Sequence, residues 1–174
     1  MPIMMIFAVV VIALIVTAGL YEGRTITATG SVAALSTQIG MTARSIQDLY
    51  STQTDDSALT PAAVCQANAY PGALGACGAN NAVLTSYGSM DAVSASSVGS
   101  AIGNNGFAIR LGAQSSMLTQ ESCINIVTQV PAYEIRGTPG LLVTNNALPS
   151  PSSADAWCKN IAGGQIDFVY AKGQ

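Results

Sequence analysis

The first 21 residues, MPIMMIFAVVVIALIVTAGLY, carry no charged side chain. As a helix rising about 1.5 Å per residue, such a run reaches about 30 Å, the thickness of a bilayer's hydrocarbon core. Whatever the rest of the chain folds into, this run must be covered by lipid or by other apolar surface. Three processing histories compete for it. A secretory signal peptide needs a positive stretch before its apolar core and an A-x-A site after it, and neither is present. A plain anchor carries Lys and Arg on its cytoplasmic flank. Here the nearest basic residue, Arg24, follows the run. With the bulk of the chain outside the cytoplasm, the positive-inside signal is missing from the correct end. A short basic leader removed before Met1 restores it, so Met1 is expected to be a processed N-terminus.

The chain then continues in a second helical pattern. In residues 31–52, Val32, Leu35, Ile39, Ala43, Ile46 and Leu49 or Tyr50 recur three or four apart, the stripe of an amphipathic helix. Gly19, Gly23 and Gly30 lie between the two halves. Each costs up to about 1 kcal/mol inside a helix, so this connection is expected to bend or melt. The predicted organisation is an apolar helix over 1–25, an amphipathic half of the same helix over 26–52, and a head over 53–174. A helix over residues 2–52 would be about 75 Å long. Its first half would protrude and its second would lay one face on the head.

Composition narrows the function. Only 9% of the 174 residues are charged and the net charge is −3, with the six basic residues scattered. No nucleic-acid footprint is present. The chain has no histidine, so no Ser-His-Asp triad can form. A Ser–Lys dyad would need Lys159 or Lys172, neither of which stands in a Ser-x-x-Lys pattern. No enzyme, cofactor or metal site is expected. Asp55 and Asp56 sit in a turn context and read as solvated loop residues. The four cysteines, Cys65, Cys77, Cys123 and Cys158, contain no CxxC pair. Dispersed and even in number behind a membrane-type segment, they read as disulfides formed in an oxidising compartment. Of the three possible pairings, the local one, Cys65–Cys77 with Cys123–Cys158, is favoured.

Within the head, residues 53–64 are polar and turn-rich. Residues 65–106 hold few long apolar side chains and read as a long loop region with short elements, clipped by Cys65–Cys77. A short helix is expected around 90–102, where Met90, Val93, Val98 and Ile102 recur. Phe107 to Leu111 alternates as a strand. Residues 120–130 read as a helix with Ile124, Val127 and Val130 on one face, and Glu121 suits the positive end of its dipole. Strands follow at Tyr133 to Arg136, at Leu141 to Thr144 after the Gly137-Thr-Pro-Gly turn, and at Ile166 to Tyr170. Residues 145–156 read as a Pro/Ser/Asn loop. Together these elements predict an α+β head, an antiparallel sheet against the amphipathic helix.

These features resemble the type IVb pilins, the class that includes toxin-coregulated, bundle-forming and plasmid-encoded thin-pilus subunits. The carriers are the apolar run from Met1, the helix continuing to Tyr50, and the stretch from Ser122-Cys123-Ile124-Asn125-Ile126-Val127 through Trp157-Cys158 to the closing Ile166-Asp-Phe-Val-Tyr. The last resembles the family's disulfide-bounded region, here 123–158. The resemblance covers most of the chain and is nearest to the thin-pilus branch. It implies cleavage by a prepilin peptidase, whose processing logic is to cut before an apolar helix. It also implies residence in the inner membrane with the head in the periplasm, handling by a pilus assembly machinery, and polymerisation into an extracellular helical filament for conjugation, adhesion or aggregation. A host or recipient cell surface is the implied outside partner. One departure stands out: the family's glutamate at the fifth mature position is Met5 here. Glu22 lies about 30 Å further along the helix and cannot replace it within one subunit.

The expected mechanism is a handover. Exposing the apolar helix to water would be opposed by tens of kcal/mol at about 25 cal/mol per Å², whereas passing it from lipid to a bundle of identical helices avoids that exposure. Ile3, Met5, Phe7, Ala8, Val11, Ala13, Leu14, Ala18 and Gly19 are the expected core-packing positions. Without the fifth-position glutamate, register must come from packing and head contacts. Two other roles compete with this one. A minor pilin or pseudopilin would share the fold, and the missing glutamate leans that way. An anchored adhesin would use Trp157 and Tyr70 on a receptor, but Trp157 beside Cys158 reads better as packing.

Overall fold

The computed structural model describes residues 32–173. The expected core-packing positions from Ile3 to Gly19, the glycines Gly23 and Gly30 and the N-terminal Met1 lie outside the described residues. Residues 32–50 are α-helical (α1). Val32, Leu35, Ile39, Ala43, Ile46 and Tyr50 are all buried, as the three-and-four spacing dictates. Leu49 is 43% exposed, so Tyr50 closes the stripe. Thr42 is buried beside it, and its hydroxyl donates to the Gln38 carbonyl at 2.8 Å.

A six-stranded antiparallel sheet faces this stripe. Its strands are β1 (Val83–Thr85), β2 (Gly88–Ser94), β3 (Gly106–Ser116), β4 (Glu134–Gly137), β5 (Gly140–Val143) and β6 (Ile166–Ala171), in the order β1-β2-β3-β6-β4-β5. The last strand in sequence therefore sits near the centre and joins the two halves. Strand alternation sends Met90, Ala92, Phe107, Ile109, Leu111, Ile135, Ile166 and Phe168 to one face, where they share a single buried cluster with the α1 stripe. Phe107 and Tyr170 are register partners, and their rings stack at 5.4 Å between centroids. On the opposite face Val93, Ala108 and Val169 form a small second cluster with Ala95, roofed by Val98 and Ile102.

Three short helices complete the head. α2 (Pro61–Gln66) starts at Thr60, whose hydroxyl oxygen accepts from the Ala63 N–H. α3 (Gln120–Val127) starts with a capping box between Thr119 and Ser122, two backbone donors satisfied reciprocally. α4 (Pro151–Cys158) has Ser150 as its cap and Pro151 at its first position, where the missing N–H costs nothing.

The predicted α+β class and antiparallel sheet are present, and the strands at 133–136, 141–144 and 166–170 match β4, β5 and β6 within a residue at each boundary; the strand at 107–111 covers only the first half of β3, which continues to Ser116. Three local expectations are corrected. The helix expected around 90–102 is strand β2 followed by a 3-10 turn at Ala95–Val98. All seven residues of β2 are buried; Ser89-Met90-Asp91-Ala92 alternates over only four positions, and the apolar Val93 that follows breaks the pattern. The loop expected at 145–156 contains most of α4; the Ser150-Pro151 start signal outweighs its Ser-rich composition. In α3 the inward face is Cys123, Ile126 and Val127, with Ile124 only half-buried.

Candidate assembly surface

The two disulfides pair Cys65 with Cys77 and Cys123 with Cys158, at Cα separations of 6.0 and 5.8 Å, so the favoured local pairing is the one present. Cys65 lies in α2, and its partner precedes β1. Their bridge clips the stretch poorest in long apolar side chains. Cys123 and Cys158 are fully buried and tie α3 to the end of α4. In the chain-entropy picture, loops of these lengths contribute about 3 and about 4 kcal/mol.

Trp157 is 9% exposed, and its indole N–H donates to the Gly140 carbonyl at 3.2 Å. The ring also lies against Gly137, where an added Cβ would stand 3.0 Å from it and 2.2 Å from the Gln165 carbonyl oxygen. Trp157 thus pins the β4–β5 hairpin to α4. Tyr70, the other aromatic weighed as a receptor contact, is buried too. Burial, and then the nearby Asp91 charge, push its phenol above the usual range.

The outer face of the sheet carries a feature that the sequence did not announce. Register places Asp91 opposite Arg110, Arg110 opposite Asp167, and Asp167 opposite Arg136. Four neighbouring strands thus align a row of alternating sign. Glu134 joins from two residues earlier on β4: it accepts from Arg136 at 3.2 Å and from the Ser100 hydroxyl at 2.8 Å. Gln165 donates to Asp167 at 2.8 Å. Burial raises the Asp167 carboxyl to about 6, with Arg110 working against the rise. Asp91, Arg110, Asp167 and Arg136 come from four strands and meet only through strand pairing.

Asp55 and Asp56 part company. Asp55 is held below the usual carboxylate range by the Ser57 hydroxyl and N–H, as a loop residue should be. Asp56 is 2% exposed, which corrects its reading as a solvated residue. Lys159 pairs with Asp155 at 3.7 Å on the surface, and Lys172 donates to the Gln53 carbonyl. Among the described residues, no three His, Cys, Asp or Glu side chains are grouped to hold a metal ion. No helix among them is long and apolar enough to cross a membrane; the uncharged run lies outside them.

Apolar side chains remain exposed in particular places. Leu84 on β1 is 73% exposed and Leu141 on β5 is 51% exposed, and these strands are the two opposite edges of the sheet. Met117 after β3 and Leu148 after β5 add to them. Met41 and Leu49 are exposed on α1. Compared with known proteins, the chain matches no family model, no curated protein and no solved structure.

Proposed function

We propose that the chain is the structural subunit of a type IVb pilus. Its uncharged run holds it in a membrane with the head outside, and polymerisation then buries that run along the axis of an extracellular filament. The observation that carries this reading is the α1 stripe. Six positions from Val32 to Tyr50 are buried on the sheet, beginning eleven positions after Tyr21 ends the uncharged run (32 − 21). An apolar segment so close to a helix fixed on a stapled head suits a subunit that pulls its head into place as the segment changes neighbours. The exposed leucines at opposite sheet edges add support, since a helical polymer needs two different patches on each subunit. The caps, strand pairing and ion pairs that engage most of the polar groups described above fit a structural role better than a catalytic one. A leader peptidase and an assembly machinery are the partners this role requires.

The test is Ala13→Asp, expressed with a pilus assembly system. A charge inside the run should abolish filaments while the head still forms its disulfides. Normal filaments from that variant would refute the proposal. The resemblance to type IVb pilins also admits a second reading, a minor subunit at a filament tip. Copy number in purified filaments separates the two: a major subunit forms the bulk of the mass, a tip subunit a trace.

A further inference from the structure

A cleft of about 310 Å³ opens where α1 ends beside the sheet, lined in part by Ile46, Asp48, Tyr50, Asp56, Phe107 and Lys172. Asp56 is the unusual member. It is 98% buried by its 2% exposure, and its Oδ1 has no hydrogen-bond partner. A buried polar oxygen left unpaired costs about 1–3 kcal/mol, more when charged. The backbone prevents the side chain from escaping: the Asp56 N–H donates to the Asn104 carbonyl at 2.8 Å, and its own carbonyl accepts from Leu59 at 3.1 Å. Lys172 is near enough to oppose the rise that burial imposes on the Asp56 carboxyl. Its ammonium, however, donates to the Gln53 carbonyl.

We propose that this cleft binds a primary alkylammonium group. Asp56 would accept from the ammonium, with the Asp48 carboxylate on the rim adding negative charge. Ile46, Tyr50 and Phe107 also line the cleft and supply the apolar wall an alkyl stem needs. The two carboxylates outnumber the one lysine among these lining groups, so the site selects a cation over an anion. The same chemistry is offered by a free diamine and by a lysine side chain.

Two probes distinguish those sources: cadaverine, and Nα-acetyl-lysine methylamide. Each is titrated into the full chain in detergent, with binding read by calorimetry and by the ring resonances of Phe107 and Tyr50. Saturable binding of both identifies a site that reads the ammonium alone; binding of the lysine derivative only identifies a protein-borne lysine. Asp56→Asn should weaken the binding about tenfold, the loss of one charge-assisted hydrogen bond. Lys172→Met removes the competing positive charge and should tighten it. Absence of saturable binding by both probes overturns the proposal, as does unchanged affinity in Asp56→Asn. If the Asp56 variant does not fold, Lys172→Met decides, and unchanged or weaker binding there overturns it.

Discussion

Arg110 meets Asp91 with both Nε and Nη2, each at 2.7 Å from a different carboxylate oxygen, and the two residues are register partners across β2 and β3. The ion pair therefore reports the register directly: a slip of one residue would turn one of the two side chains to the other face and separate them. The Asp91 side chain is fully buried, whereas that of Arg110 retains 24% exposure. Removing the arginine leaves a buried carboxylate without its countercharge, with only the Gln114 amide at 3.3 Å still donating to it. Arg110→Met should cost roughly 3 kcal/mol or more, while the double change with Asp91→Leu should recover most of that loss. Denaturant unfolding of the full chain in detergent measures both. A double variant as unstable as the single one would show that the pair acts through something other than mutual neutralisation.

Two strands further along the same row, Asp167 makes stability depend on pH with an unusual sign. Its carboxyl is raised to about 6 in the folded head, against about 3.9 in an unfolded chain. Between these values the native state binds more protons than the unfolded state, so stability falls as pH rises. The contribution is complete below about 4 and lost above about 6, and for a shift of this size it is on the order of 3 kcal/mol. Burial raises the Asp56 carboxyl too, which acts in the same direction. The head should therefore unfold at a higher temperature near pH 4.5 than near pH 7, and Asp167→Asn should flatten the slope. Melting curves followed by near-ultraviolet circular dichroism at a series of pH values decide it.

The staples should differ in weight. Replacing Cys123 and Cys158 by alanine opens the longer loop, separation 35 against 12 for Cys65–Cys77. The expected losses are about 4 and about 3 kcal/mol. The Cys123–Cys158 loss should also loosen α3 and α4 together, because both sulfurs lie in their buried contact. Hydrogen exchange should show new opening in both helices when that bridge is removed. Removing the other bridge should leave them protected and open α2 and the turn before β1.

What could be read from the chain beforehand follows the physics of each element. α1 was legible because one face is buried and the other is not, which prints a period of three to four in sequence. β3 and β6 were legible through alternation at Phe107, Ile109 and Leu111 and at Ile166 and Phe168. β2 was not, since its alternation lasts only four positions before Val93 breaks it, and Met90, Val93, Val98 and Ile102 fall by chance near helical spacing. α4 was announced only by Ser150 and Pro151, a cap and a first-turn proline hidden in a stretch whose Pro, Ser and Asn otherwise spell loop. The charge row and the burial of Asp56 had no local signal. The first needs the register of four strands, and the second depends on Asn104, 48 positions away (104 − 56), reaching back to hold the Asp56 backbone.

If the head belongs to a filament as proposed, its exposed edges are where contacts between subunits are expected. Leu84 and Leu141 are 73% and 51% exposed on opposite edge strands. An edge strand bearing an apolar side chain invites pairing or packing with another chain, and β1 and β5 are short, three and four residues, which limits uncontrolled extension. In a filament with heterologous contacts, the patch around Leu84 on one subunit would face a different patch on its neighbour. Leu84→Asp and Leu141→Asp should therefore leave the melting temperature of the isolated subunit within a degree or two, because surface changes of this kind fall within about 0.5 kcal/mol. The same variants should shorten filaments or reduce their number, and a mixture of wild-type and variant subunits should show breaks in proportion to the variant fraction. Electron microscopy of filaments from such mixtures measures it. Filaments of normal length and yield from both variants would place the head contacts elsewhere on the surface, with Met117, Leu148 and the exposed Met41 of α1 as the next positions to charge.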